Sequence, residues 1–132
     1  MFRTFLRAKI HRATVTDANV DYIGSITLDA KLMKAAGLLP MEQVDVLNVS
    51  NGNRLTTYCI EGKSGSGEVC LNGAAALLCG KGDIILVCAY AQLQEAEIAR
   101  FKARTVFVDK KNKATKVKEQ ALALTGKPGP KR

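Results

Sequence analysis

Tryptophan is absent, aromatic residues make up only 5% of the chain, and there is a single histidine. So few aromatics argue against a stacking platform for single-stranded nucleic acid. One histidine, with four cysteines at 59, 70, 79 and 88 and no Cys-x-x-Cys pair, leaves no metal-site spacing, so no metal is expected. No Gly-x-Gly-x-x-Gly fingerprint announces a nucleotide. No apolar run approaches the roughly 20 residues that cross a bilayer. The N-terminus Met1-Phe2-Arg3-Thr4-Phe5-Leu6-Arg7 lacks the apolar stretch and small-residue cleavage site of a signal peptide. The expectation is a cytoplasmic chain that binds neither membrane nor nucleic acid.

What remains is an ordinary globular composition: 132 residues, enough for one domain with a real core, and a 47% hydrophobic share. The formal charge of +8 is unevenly spread. Residues 109–132 carry eight Lys or Arg against Asp109 and Glu119, whereas residues 1–108 carry twelve basic and ten acidic residues. The basicity therefore reads as a disordered tail over 109–132 attached to a nearly balanced body over 1–108. Cys59, Cys70 and Cys88 fall in apolar strand-like runs and read as buried thiols.

Strand patterns dominate. Phe2 to His11 alternates in part, with Arg7, Lys9 and His11 on one face. Thr14 to Thr16 is β-branched, Asp17-Ala18-Asn19 reads as a turn, and Val20 to Leu28 reads as strand. Asp29 is placed to cap a helix over 30–36 that Gly37 ends in the left-handed conformation, and Pro40 blocks its continuation. Val44 to Val49 and Arg54 to Ile60 read as a hairpin joined through Asn51-Gly52, followed by a flexible loop over 61–67. Glu68 to Leu71 is a short strand, Ala74 to Cys79 a short helix closed by Gly80, Ile84 to Tyr90 a buried strand and Thr105 to Val108 a last one. Gln92 to Phe101 fits neither period. Many short strands with small helices predict a mainly β fold closed into a barrel.

Several segments have both a plain and a chemical reading. Gly24-Ser25 is a turn or a self-cleavage point. A serine hydroxyl held in a strained turn can attack the preceding carbonyl, and glycine there permits the geometry and leaves the carbonyl open. The resulting ester can eliminate to dehydroalanine, which hydrolyses to a pyruvoyl group and ammonia. Lys9 and His11 are a solvated outer face or part of an anion site. Arg54 is an exposed strand start or a bidentate carboxylate partner. Tyr58 packs in a strand or delivers a proton. Asn72-Gly73-Ala74-Ala75-Ala76 is a capped helix start, or backbone N–H groups and a side-chain donor open to an anion.

Taken together, Lys9-x-His11-Arg12, Tyr22-x-Gly24-Ser25, Ala35-Ala36-Gly37, Asn48-Val49-x-Asn51-Gly52, Thr57-Tyr58, Asn72-Gly73-Ala74-Ala75-Ala76 and Gly82-Asp83 resemble the pyruvoyl-dependent aspartate 1-decarboxylases, from about Met1 to Tyr90. No single piece is specific; the joint spacing is. The resemblance implies a double-ψ β-barrel and a homotetramer with sites between subunits. It implies a carbon–carbon lyase that converts L-aspartate to β-alanine and CO2 for pantothenate synthesis. It also implies self-cleavage into a β-chain of residues 1–24 and an α-chain from 25, with Ser25 becoming the pyruvoyl cofactor that holds substrate as a Schiff base. Carried over by position, Gly24, Ser25 and Thr57 act in self-processing and Tyr58 is the proton donor. Lys9, Arg54, Thr57, Gly73, Ala74 and Ala75 bind substrate, while His11, Tyr22 and Asn72 support the site.

Two departures stand out. Leu47 occupies a position where the family often has a large aromatic, and the stretch after about Val108 matches nothing in the family pattern. Two rivals are an uncleaved, inactive barrel homologue and an anion-binding module using the basic tail. The sequence leaves open whether maturation is autonomous or assisted by another protein, and which carboxylate Arg54 takes.

Overall fold

The computed structural model describes residues 1–122. Nine strands form one mixed sheet: β1 (Phe2–Thr14), β2 (Asp17–Asn19), β3 (Ser25–Asp29), β4 (Gln43–Asn48), β5 (Arg54–Gly62), β6 (Val69–Asn72), β7 (Ile84–Gln94), β8 (Lys102–Val108) and β9 (Ala114–Ala121). Their order is β2-β6-β3-β5-β4-β7-β1-β8-β9. The two sides of this order are sewn together just past β1. The Val15 N–H donates to Asp83 O and the Gly82 N–H to Val15 O, both at 2.8 Å, while the next residue's N–H, Thr16, donates to Val69 O at 2.7 Å. That seam curls the sheet into a mainly β barrel with short helices, as the strand count anticipates.

Alternation fills the barrel. One face of each strand except β2 and β9 contributes to a core that includes Ile10, Val15, Ile26, Leu28, Val44, Val46, Leu71, Ile85, Val87 and Val106, all essentially without exposure. The helix α1 (Ala30–Ala36) lays Leu32, Met33 and Ala36 on that core. Its predicted caps are present: Asp29 accepts from the Lys31 N–H, and Gly37 sits at φ 73°. The Asn51-Gly52 hairpin is present too, with Gly52 at φ 81°. Asn48, Asn51 and Asn53 each donate a side-chain N–H to Leu78 O at 3.1–3.2 Å. The asparagine loop thereby ties down the end of the segment that follows β6.

Three readings of local structure are corrected, and one segment left open is resolved. Asp17–Asn19 is a short strand parallel to β6, not a turn. The strand read over 20–28 begins only at Ser25, because residues before it turn back on Asn19, whose carbonyl accepts from Tyr22 N–H. The helix read over 74–79 is a 3-10 turn, Gly73–Leu77. Gln92 to Phe101 divides into the end of β7 and a one-turn helix α2 (Glu95–Ile98), held by a Gln94–Glu97 capping box.

The tail reading is also corrected for its described part. Residues 114–121 pair with β8 as an antiparallel hairpin strand. Every residue of β9 is exposed, so no buried alternation marked it, and its lysines read as solvated. The anchor is Asn112, 1% exposed and at φ 62°. Its Oδ1 accepts from the Thr14 N–H at 2.8 Å, and its Nδ2 donates to Thr14 O and Gly67 O at 2.9 and 2.8 Å. The remainder of the predicted tail, residues 123–132, lies outside the described residues.

Candidate active site

Ser25 is the first residue of β3 and is 1% exposed, directly behind an exposed Gly24. It pairs with Asn72 across the antiparallel β3–β6 ladder. Asn72 does not cap the 3-10 turn with its side chain. Its Nδ2 instead donates to Ser25 Oγ at 3.0 Å and to Thr27 Oγ1 at 2.9 Å. The Ser25 hydroxyl in turn donates to Ile23 O over a long 3.4 Å.

Gly73 closes this corner from below. It sits at φ 67°, and a Cβ there would lie 2.6 Å from Gly24 Cα, 2.8 Å from Gly24 N and 3.0 Å from Tyr22 O. Only glycine satisfies both the backbone and the contact. Gly24 itself has room, with nothing nearer to its missing Cβ than Asn72 O at 3.9 Å. The Gly24–Ser25 peptide thus lies at a boundary, between an exposed glycine and a buried, hydrogen-bonded serine.

Register places most of the other predicted residues. Paired residues, and residues two apart on a strand, share a sheet face. Thr27 pairs with Ile60 on β5 and with Cys70 on β6. Tyr58, two before Ile60, therefore shares the outer face with Ser25, and Thr56 and Arg54 continue that face. Thr56 pairs with Asp45, Asp45 with Cys88, and Cys88 with Lys9. One outward face thus runs from Ser25 and Asn72 through Tyr58 and Arg54 to Lys9. Leu47, the departure noted above, pairs directly with Arg54.

Thr57 differs: it pairs with buried Val44 on the core side of β5, one residue from Tyr58. Of the small residues entering the 3-10 turn, Gly73 and Ala75 are buried and Ala74 is exposed.

Among the described residues, no hydrogen bond links Lys9 or His11 to Ser25. They lie on β1, four strands from β3 in the sheet order. His11 instead meets Phe107 edge-on, with ring centroids 5.4 Å apart. Burial holds its pKa below the ordinary histidine value, with Lys9 and Arg12 acting in the same direction. Arg7 does not join them on that face as the alternation predicts, because a bulge between Leu6 and Ala8 breaks the alternation there; it is taken up by Glu42 and by Gly37 O.

Polar residues missed from sequence surround the site. Asp45 accepts from Thr56 Oγ1 at 2.6 Å. Burial pushes the Cys88 thiol pKa up, opposed by Lys9 and Arg54. Cys70 is only half-buried, unlike the other three cysteines, and its thiol reaches Asn72 Oδ1 at 3.3 Å. A period-two count from Ser25 and from Asn72 would have found Thr27 and Cys70.

Residues 1–115 match the family described as aspartate decarboxylase. An aspartate 1-decarboxylase of Carboxydothermus hydrogenoformans is 52% identical over 122 residues, covering 92% of this chain and 96% of its own. Those of Neisseria meningitidis and Thermoanaerobacter pseudethanolicus are 57% and 53% identical over 113 residues, each covering 86% of this chain and 89% and 97% of their own. The likeness therefore runs beyond Tyr90, and beyond Val108 into the segment read as a foreign tail.

Proposed function

This chain belongs to the aspartate decarboxylase family, and we propose that it converts L-aspartate to β-alanine and CO2 after cutting its own Gly24–Ser25 peptide. β-Alanine made this way would enter pantothenate synthesis. The observation that carries the reading is the corner itself: a buried serine hydroxyl, an amide donor on that oxygen, and before it an exposed glycine with open space where a side chain would stand.

Self-processing begins as Ser25 Oγ attacks the Gly24 carbonyl carbon. The C–N bond breaks, the nitrogen of residue 25 keeps the electron pair and takes the proton, and the peptide becomes an ester. Asn72 Nδ2, 3.0 Å from Oγ, stabilises negative charge as the hydroxyl proton leaves. Thr57, which the family resemblance assigns to this step, lies next to Tyr58 on the core side of β5.

The corner fits a pyruvoyl group at position 25. Ser25 is enclosed, Asn72 offers it a donor, and Gly73 leaves the backbone around Gly24 free of side chains. Formed there, the group would supply a ketone to act as electron sink for loss of the substrate's α-carboxylate. The chain's own residues do the rest. Arg54 pairs with a substrate carboxylate, Tyr58 Oη gives a proton to the former α-carbon, and backbone groups at Gly73, Ala74 and Ala75 line the site.

Lys9 has no hydrogen bond to its own chain's Ser25 and is read as serving a neighbouring copy's site, together with His11, as the family resemblance implies. The exposed apolar side chains of Tyr22, Ile23 and Leu77 beside the corner support an assembly of copies, read as a homotetramer. No helix among the described residues is long and apolar enough to cross a membrane. The four cysteines, all unpaired, support a reducing compartment, the cytoplasm.

The test is Ser25→Ala. Neither cleavage nor β-alanine formation should survive, and an active, pyruvoyl-free Ser25→Ala protein would sink the reading.

A further inference from the structure

We propose that Cys70 and Thr27 are positioning residues that hold the Asn72 carboxamide with its nitrogen, not its oxygen, against Ser25. The four side chains form a two-by-two patch on the outer face of the β3–β6 ladder, where Ser25 pairs with Asn72 and Thr27 with Cys70.

An asparagine carboxamide keeps nearly the same shape when turned end for end, so shape does not fix which atom faces Ser25. The hydroxyls of Ser25 and Thr27 do not fix it either, because each can donate or accept. The thiol breaks the tie. Cys70 Sγ lies 3.3 Å from Asn72 Oδ1, where S–H donates to a carbonyl. With the amide turned, two N–H groups would face sulfur, a weak acceptor, and Oδ1 would face Ser25 Oγ.

Thr27 reinforces the choice. A Cβ at Gly62 would lie 3.0 Å from its γ-methyl, so the methyl occupies the space that this glycine leaves. The Thr27 hydroxyl is thereby turned to Asn72 and accepts from Nδ2 at 2.9 Å.

The orientation decides the sign of the field at the nucleophile. A donor at Ser25 Oγ favours loss of its proton, whereas a carbonyl oxygen there would bind that proton and oppose the charge that develops. The Cys70 thiol has no hydrogen bond to Ser25 or Gly24; its nearest acceptor is Asn72 Oδ1, with Leu71 O farther at 3.9 Å, and it acts through Asn72.

This inference rests on self-cleavage at Gly24–Ser25, and the experiment separates the two. Freshly made full-length wild type, Cys70→Ala, Cys70→Ser and Thr27→Val are followed by denaturing mass spectrometry as the intact chain disappears, with thermal unfolding of each as the fold control. The expected result is cleavage about three- to tenfold slower in Cys70→Ala and Thr27→Val, the loss of one aligned hydrogen bond. Cys70→Ser, which keeps a donor, should return close to the wild-type rate. If Cys70→Ala fails to fold, Thr27→Val carries the test. A folded Cys70→Ala or Thr27→Val that cuts at the wild-type rate, or a folded Cys70→Ser as slow as Cys70→Ala, overturns the positioning role while leaving the function standing. An uncut wild-type chain overturns both.

Discussion

Two regions of the outer face differ in how complete they are. The corner around Gly24, Ser25, Asn72 and Gly73 is finished within one chain, with Ser25 and Asn72 both buried and their hydrogen bonds made. The stretch that reads as the substrate side is open. Arg54 is exposed, Tyr58 is half-buried, and Lys9 lies strands away on β1. A peptide can be cut once by groups the chain already holds. Repeated turnover of a small dicarboxylate needs cations placed around a cavity, and one copy does not assemble them. On the proposed reading, cutting belongs to the single barrel and decarboxylation to an assembly of copies.

The sharpest break of that contrast is a change that stops cutting in one chain. Gly73→Val should remove cleavage almost entirely, because its side chain would enter Gly24 and its φ of 67° is strained for a β-branched residue. Intact-mass analysis checks it, and a normally cut Gly73→Val chain would remove Gly73 from the account. On the other side, Tyr58→Phe should still cut but lose about a hundredfold or more in kcat, the usual scale for a lost proton donor. Cutting and steady-state β-alanine production measured on the same sample separate the two regions.

A mixing experiment addresses the open region directly. Lys9→Ala chains should cut normally and decarboxylate poorly, and Ser25→Ala chains should do neither. Co-expressed, they should regain a fraction of wild-type turnover, since a Ser25→Ala copy supplies Lys9 to a cut neighbour. No regain would place Lys9 and Ser25 in the same copy's site.

The smallest expected effect lies outside both regions, where the C-terminal hairpin meets the barrel. Asp29 is buried and accepts from the Lys31, Gly65 and Gly67 N–H groups at 2.8–2.9 Å, with Lys113 at 3.9 Å. Burial raises its pKa, but the backbone donors and Lys113 outweigh burial and hold it below the ordinary carboxylate value. Its stabilisation is therefore present above the unfolded-state pKa and is lost as pH falls through the depressed folded value. Asp29→Ala should cost roughly 3 kcal/mol near neutral pH and flatten that acid limb, read from urea unfolding at several pH values.

Much of this was legible in the sequence wherever a local rule applied. Asp29 and Gly37 bound α1 as written, and Asn51-Gly52 turns the hairpin it announces. Ser25 and Asn72 were named from joint spacing, and register puts them side by side. What failed was set by long-range contact. Asp17–Asn19 has a turn composition, yet is a strand because β6 offers it backbone partners. Residues 114–121 carry lysines that suit a tail, yet the buried Asn112, from which they continue, locks onto Thr14 and Gly67. Lys9 and His11 share a face as predicted, but the strand order that separates them from Ser25 is not written in either residue.

The central claim is that this chain cuts itself between Gly24 and Ser25. Denaturing mass spectrometry of the purified wild type tests it most directly. The account predicts two pieces, Met1 to Gly24 and a larger one from position 25 whose blocked N-terminus resists Edman sequencing. A single intact 132-residue chain that nevertheless makes β-alanine from aspartate would contradict it.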